Sequence, residues 1–150
     1  MTPGALTDEL MARMLANAPN PTGVTLELPP KVFVDMGGAF VAYEEGRALT
    51  ARFPMLARYQ NPMGFMQGGI IAALIDNTIG PLSFLVAPPS VTAQLTITYV
   101  RPVMPDDAYV EVEGRVVERT RTQILLAARV SNPAGKLVAI AQATCTLLAT

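Results

Sequence analysis

Between Asn61 and Asp76 the chain reads NPMGFMQGGIIAALID, a polar loop and a Gly-Gly pair running into an apolar segment that carries a single acid. The first N–H groups of a helix have no intrahelical acceptor, and the macrodipole there favours negative charge. Gly68 and Gly69 would present such donors without side chains over them. Asp76 is a carboxylate among small and apolar neighbours, where an idle charge is costly. Donors that stabilise a developing oxyanion, together with a carboxylate that activates water or attacks, are the two halves of an acyl-transfer site.

No histidine occurs anywhere in the chain. Ser-His-Asp and Cys-His nucleophilic systems and histidine metal sites are thereby excluded, leaving carboxylates, hydroxyls, amides and backbone. The leaving group is narrowed as well. A thiolate, with a pKa near ~8.5, departs unprotonated at neutral pH, whereas an amine needs a general acid. A thioester suits these residues and an amide does not. In this reading the Gly68 N–H, helped by Asn61 and Gln67, polarises the carbonyl, and Asp76 acts either as base on water or as nucleophile. No metal or other cofactor is expected. The single cysteine, Cys145, alternates with Leu137, Ala139, Ala141, Ala143 and Leu147, as a buried strand thiol would.

The elements that must hold these groups follow from the same stretch. Gly69, Ala72, Ala73, Asp76 and Gly80 recur every three or four residues, a stripe of small residues on one helix face that admits a ligand or the matching helix of a second subunit. At ~1.5 Å rise per residue, Gly69 and Asp76 lie roughly 10 Å apart along the axis, too far for one carbonyl to touch both. Two such helices packed antiparallel about a two-fold would bring the acid of one to the glycines of the other. A homodimer with two shared sites is therefore expected.

This central helix is predicted from about Gly68 to Ala87, with Pro81 kinking or ending it. A shorter helix is predicted over Leu6–Asn17, with Thr7 and Asp8 able to cap it, followed by a connector over residues 19–30. Strands are predicted at Ala39–Glu45, Arg47–Met55, Thr92–Val100, Tyr109–Glu118, Thr122–Val130 and Leu137–Leu148. In the third of these, Ala93, Leu95, Ile97 and Tyr99 alternate against Thr92, Gln94, Thr96 and Thr98. The fold class is α+β, an antiparallel sheet wrapped on one long helix, in a single domain over 1–150 with its core from residue 31.

With 150 residues, 51% of them hydrophobic, the chain can bury a core and an interface besides. Eleven basic against twelve acidic residues leave a net charge of −1, which provides no footprint for nucleic acid or an anionic membrane. The N-terminus lacks the basic start and apolar run of a secretory signal, and Asp76, Asn77 and Pro81 interrupt the apolar stretch of the central helix. A soluble cytoplasmic protein with a small-molecule partner is expected. Met55, Met63, Met66 and Met104 are read as core filling and Arg119 and Arg121 as solvated.

Asn61, five residues, Gln67-Gly68-Gly69, six residues and Asp76 together resemble the signature of the hotdog-fold thioesterases of the phenylacetate-degradation (PaaI-like) type. The likeness extends to Ile97-Thr98-Tyr99-Val100-Arg101-Pro102 and Gly135-Lys136-Leu137-Val138-Ala139. It implies a five- or six-stranded antiparallel sheet around a central helix, a dimer often paired into a tetramer, and acyl-CoA hydrolysis. By position, Gly68 matches the oxyanion amide, Asn61 the loop asparagine near the thioester, Asp76 the catalytic carboxylate and Thr92 a hydroxyl that holds the water. Gly69, Asn77 and Thr92 are the expected substrate-contacting residues. Gln67 stands where the family usually has histidine, so this position can donate a hydrogen bond but cannot carry charge or shuttle a proton. Two other readings stay open: a non-catalytic acyl or aromatic ligand-binding protein of the same fold and, less well matched without histidine, a hydratase.

Overall fold

The computed structural model describes residues 1–18, 23 and 25–148. Of the connector expected over 19–30, residues 19–22 and 24 lie outside the described residues. Helix α1 (Pro3–Asn17) is followed by a short helix α2 (Lys31–Asp35), strands β1 (Ala39–Glu44) and β2 (Ala48–Pro54), a 3-10 turn (Ala57–Tyr59) and the long helix α3 (Gly68–Val86). Four strands complete the chain: β3 (Ser90–Tyr99), β4 (Tyr109–Arg119), β5 (Gln123–Ser131) and β6 (Leu137–Leu147).

All six strands join one antiparallel sheet in the order β1-β2-β4-β5-β6-β3. The sheet curls around α3, whose Ile71, Leu74, Ile75, Ile79, Leu82 and Leu85 are buried with Phe53, Val110, Val112, Ile124 and Leu126 of the strands. A helix apolar on nearly all sides needs such wrapping, because every face must find a partner. The helix is long and apolar enough to cross a membrane by length and composition, yet here it forms the core of the fold. This is the hotdog architecture, and the expected strand boundaries hold to within two residues.

Three local expectations are corrected. Helix α1 starts at Pro3, capped by Thr2, whose Oγ1 accepts from the Ala5 N–H at 3.3 Å. Thr7 donates instead to the Pro3 carbonyl and accepts from the Phe40 N–H, both at 2.8 Å, which fastens α1 to β1. A threonine directly before proline supplies a better start than Thr7, since Pro fits the first helical position. Pro81 does not end α3, because burial of Leu82 and Leu85 beyond it holds the last turn in helical form.

The third correction concerns β3. Its register against β6 slips between Thr92 and Gln94: Thr92 stands opposite Cys145, and Gln94 opposite Thr144. A bulge at Ala93 takes up the extra residue and reverses the side-chain phase. Thr92 therefore lies on the same sheet face as Leu95, Ile97 and Tyr99, whose partners Ala143, Ala141 and Ala139 are buried, and not with Thr96 and Thr98 as simple alternation predicts.

The two sheet edges differ. Strand β1 is covered by α1 through the Thr7 bond, whereas β3 has ten residues without charge or proline, most of them exposed. A long, uncharged edge of this kind is a template for another strand.

At the start of β1, a Cβ on Gly38 would come within 2.7–2.8 Å of the Phe33 and Phe53 rings, which pack edge-to-face at 5.7 Å between centroids. Gly38→Ala is expected to lower unfolding free energy by about 1–3 kcal/mol, read from the urea midpoint. An unchanged midpoint would contradict the close packing of this corner.

Candidate active site

The loop ahead of α3 closes on Asn61. Its backbone N–H donates to the Phe65 carbonyl at 2.7 Å, and its carbonyl accepts from Gly64, whose φ of +85° only glycine adopts readily. The Asn61 Oδ1 accepts from Met63 N–H at 2.9 Å and Phe65 N–H at 3.1 Å. The side-chain oxygen thus orders the loop, and among the described residues Nδ2 has no partner. The Met66 N–H donates to Val103 and the Gln67 N–H to the Tyr59 carbonyl at 2.8 Å, so the loop is anchored at both ends.

Gln67 is the N-cap of α3, with an exposed side chain that makes no capping bond. Its carbonyl accepts from the Ile70 and Ile71 N–H groups at 2.9 and 3.3 Å. Among the described residues, the Gly68 and Gly69 amides have no intramolecular acceptor. Nothing would meet a Cβ at Gly69, but one at Gly68 would sit 3.2 Å from the Tyr99 ring. The Tyr99 hydroxyl donates to the Gly68 carbonyl at 2.6 Å. Sequence reading placed Tyr99 correctly in β3 but gave it no part in the site, because the contact joins residues 31 positions apart.

Asp76 lies two helical turns further along α3 and is exposed in the protomer. Its Oδ1 accepts from the Thr92 hydroxyl at 2.8 Å. The β3 bulge permits this bond, since without it Thr92 would face away from α3. Oδ2 has no partner among the described residues. Asn77, next along the helix, turns its Nδ2 to the Ala73 carbonyl at 2.9 Å and towards the Met36 sulfur. Thr92 thus joins Asp76, while Asn77 is engaged on another side of the helix.

The groups fall into two clusters on one chain: the Gly68 and Gly69 amides with Asn61 and Gln67 at the helix start, and Asp76 with Thr92 roughly 12 Å along it. Two surface cavities, one beside Gly37, Arg52 and Tyr109 and one beside Gln94, Thr96 and Gln142, include neither cluster. Of the methionines, Met66 is buried while Met63 and Met104 are exposed. Arg119 donates to the Val86 carbonyl at 2.6 Å, closing the last turn of α3.

Comparison with known proteins bears on the family and the fold. Residues 63–139, just over half of the chain, match the profile of the thioesterase superfamily. A Ralstonia eutropha phenylacetic acid degradation-related protein is similar in structure, with a TM-score of 0.75 and 25% identity, over 92% of this chain and 99% of its own. A Streptococcus mutans protein solved with acetyl-CoA bound gives a TM-score of 0.69 at 27% identity, over 74% and 88%. The Escherichia coli PaaI protein of the phenylacetic acid degradation operon, at 16% identity, shares the fold with a TM-score of 0.76 over 93% and 96%. A search of curated proteins by sequence gave no match.

Cys145 is 1% exposed, and its sulfur lies 3.9 Å from the Thr92 hydroxyl. Burial pushes the thiol's pKa up, hydrogen bonds from Thr92 and Ser90 pull it down, and the Asp76 charge adds to the upward push. The net rise keeps the thiol protonated and unreactive at neutral pH. Iodoacetamide is expected to label the native protein at least ~100-fold more slowly than the urea-unfolded chain. Equal rates would show an accessible thiolate instead.

Proposed function

This chain belongs to the thioesterase superfamily, and on that premise we propose that it hydrolyses acyl-CoA thioesters at a site shared between two subunits. The Gly68 amide of one protomer receives the thioester oxygen, and Asp76 of the partner subunit supplies the carboxylate. The observation that carries the reading is Asp76 itself: an exposed acid on the core helix, oriented through Oδ1 by Thr92 of the bare edge strand. The unpartnered Oδ2 is the oxygen left to face a substrate.

The dimer has a physical basis in β3. Antiparallel pairing of two such edges would continue the sheet across a two-fold and bring the two α3 helices alongside each other in opposite directions. Asp76, adjacent to β3 through Thr92, would then lie by the partner's helix start. On the outer sheet face Val117 and Ile140 are exposed, a second apolar surface through which dimers could pair into tetramers.

In the reaction, the carbonyl carbon is attacked while its oxygen gathers charge at the helix start, where the free amides and the macrodipole stabilise it. As general base, Asp76 takes the proton of the attacking water; as nucleophile, it forms an anhydride that water then opens. Either way the C–S bond breaks, coenzyme A leaves as thiolate and the free acid remains. No metal or redox cofactor takes part. The acyl-CoA assignment draws support from the relative solved with acetyl-CoA bound. Gln67, exposed beside the amides, can donate a hydrogen bond but carries no charge.

A panel of aliphatic and aromatic acyl-CoAs with thiol detection tests the proposal. Wild-type protein is expected to release coenzyme A, Asp76→Asn to lose at least ~100-fold in kcat with the dimer intact, and Thr92→Val to lose about 3- to 30-fold. Full activity in Asp76→Asn would remove Asp76 from the mechanism. Calorimetric binding without thiol release in the wild type, with release restored by Gln67→His, would favour a non-catalytic acyl-binding protein, the alternative that Gln67 suggests.

A further inference from the structure

Two peptide groups open α3, and the carbonyl of each is loaded while its amide has no acceptor among the described residues. In the Gln67–Gly68 peptide the carbonyl accepts the Ile70 and Ile71 amides, and the N–H is that of Gly68. In the Gly68–Gly69 peptide the carbonyl accepts the Tyr99 hydroxyl at 2.6 Å, and the N–H is that of Gly69. A bond accepted at a carbonyl polarises the whole peptide and strengthens its N–H as a donor. The Tyr99 ring also packs on the Gly68 Cα, close enough that an added Cβ would sit 3.2 Å from Cζ. The plane of the Gly68–Gly69 peptide is thus held by a side chain from β3, outside the helix it opens.

We propose that Tyr99 is a positioning residue of the oxyanion site, its hydroxyl orienting and polarising the Gly68–Gly69 peptide so that the Gly69 N–H serves as a second oxyanion donor beside that of Gly68. The assignment rests on the thioester-hydrolysis reading. It explains why a second glycine follows Gly68: nothing lies within 4 Å of a Cβ built on Gly69, so packing within the protomer does not require glycine there, whereas an unshielded amide does. Tyr99 touches neither Asp76 nor Thr92 by hydrogen bond, so its effect is confined to the oxyanion half of the site.

Tyr99→Phe removes the hydroxyl and keeps the ring. In steady-state hydrolysis of the best acyl-CoA of the panel, kcat is expected to fall about tenfold while KM stays within about twofold, because the lost interaction matters most when the oxyanion forms. Thermal midpoints of variant and wild type should coincide within a few degrees. Tyr43→Phe, which removes a hydroxyl that accepts from the Gly46 amide, serves as the control and should leave kcat unchanged. In amide NMR the Gly69 proton is expected to move upfield in Tyr99→Phe, a readout that needs no turnover. Unchanged kcat with an unmoved Gly69 amide would overturn the assignment, as would a fall in kcat/KM carried by KM alone. Wild-type protein that releases no thiol from any thioester would instead sink the hydrolysis reading, and the Gly69 shift would still decide whether Tyr99 acts on this peptide.

Discussion

An α-helix is a ruler. Its rise fixes the Gly68 amide and the Asp76 carboxylate roughly 12 Å apart on α3, and no adjustment of side chains within one chain removes that gap. Every other feature of the site is arranged around this separation. The loop closed by Asn61 and the bond from the Gln67 N–H to Tyr59 settle one end of the ruler, and the Thr92 bond to Asp76 settles the other. Each end is preorganised, and in the proposed reaction each is half of a site. The sheet in turn holds α3 along its length and leaves its uncharged edge open on the side where Thr92 meets Asp76.

Hydrogen bonds to and from backbone do much of the positioning. The carbonyls of Gln67 and Gly68 are both engaged, so the adjoining amides are fixed in direction before any ligand arrives. Preorganised donors of this kind need not reorient as charge develops, which is why they are worth more than equivalent groups in water. The absence of histidine is tolerable on these terms. A thiolate leaves without protonation at neutral pH, and the proposed site then needs only a carboxylate and directed N–H groups.

Much of this was legible in the sequence, for identifiable reasons. The apolar run after Gly68-Gly69, interrupted by Asp76, Asn77 and Pro81, read as a core helix, and its bounds matched within a residue because glycine and the Ala87-Pro88-Pro89 segment punctuate it at both ends. The expectation for Thr92 came from resemblance, while alternation put it on the face of β3 opposite to the one from which it reaches Asp76. A bulge is a property of register between two strands, and no pattern within one strand reports it. Tyr99 was hidden for the same reason, since its partner Gly68 becomes a neighbour only once β3 has folded against α3. Asn61 looked equally suited to ordering its loop and to touching substrate, and its oxygen does the first. Asn77, expected among the substrate contacts, turns its amide to the Ala73 carbonyl and away from the Asp76–Thr92 pair, since adjacent residues on a helix point about 100° apart.

The shared site is tested most directly by mixing two inactive subunits. Gly68→Pro deletes the proposed oxyanion amide at the first helical position, where the Tyr99 ring must give by a few tenths of an ångström to admit it, and Asp76→Asn deletes the carboxylate. If the two halves come from different chains, unfolding and refolding an equal mixture must produce heterodimers with one intact and one doubly defective site, recovering about a quarter of wild-type activity. If amide and carboxylate act within one chain, the mixture stays as inactive as its parents, and that result would contradict the account.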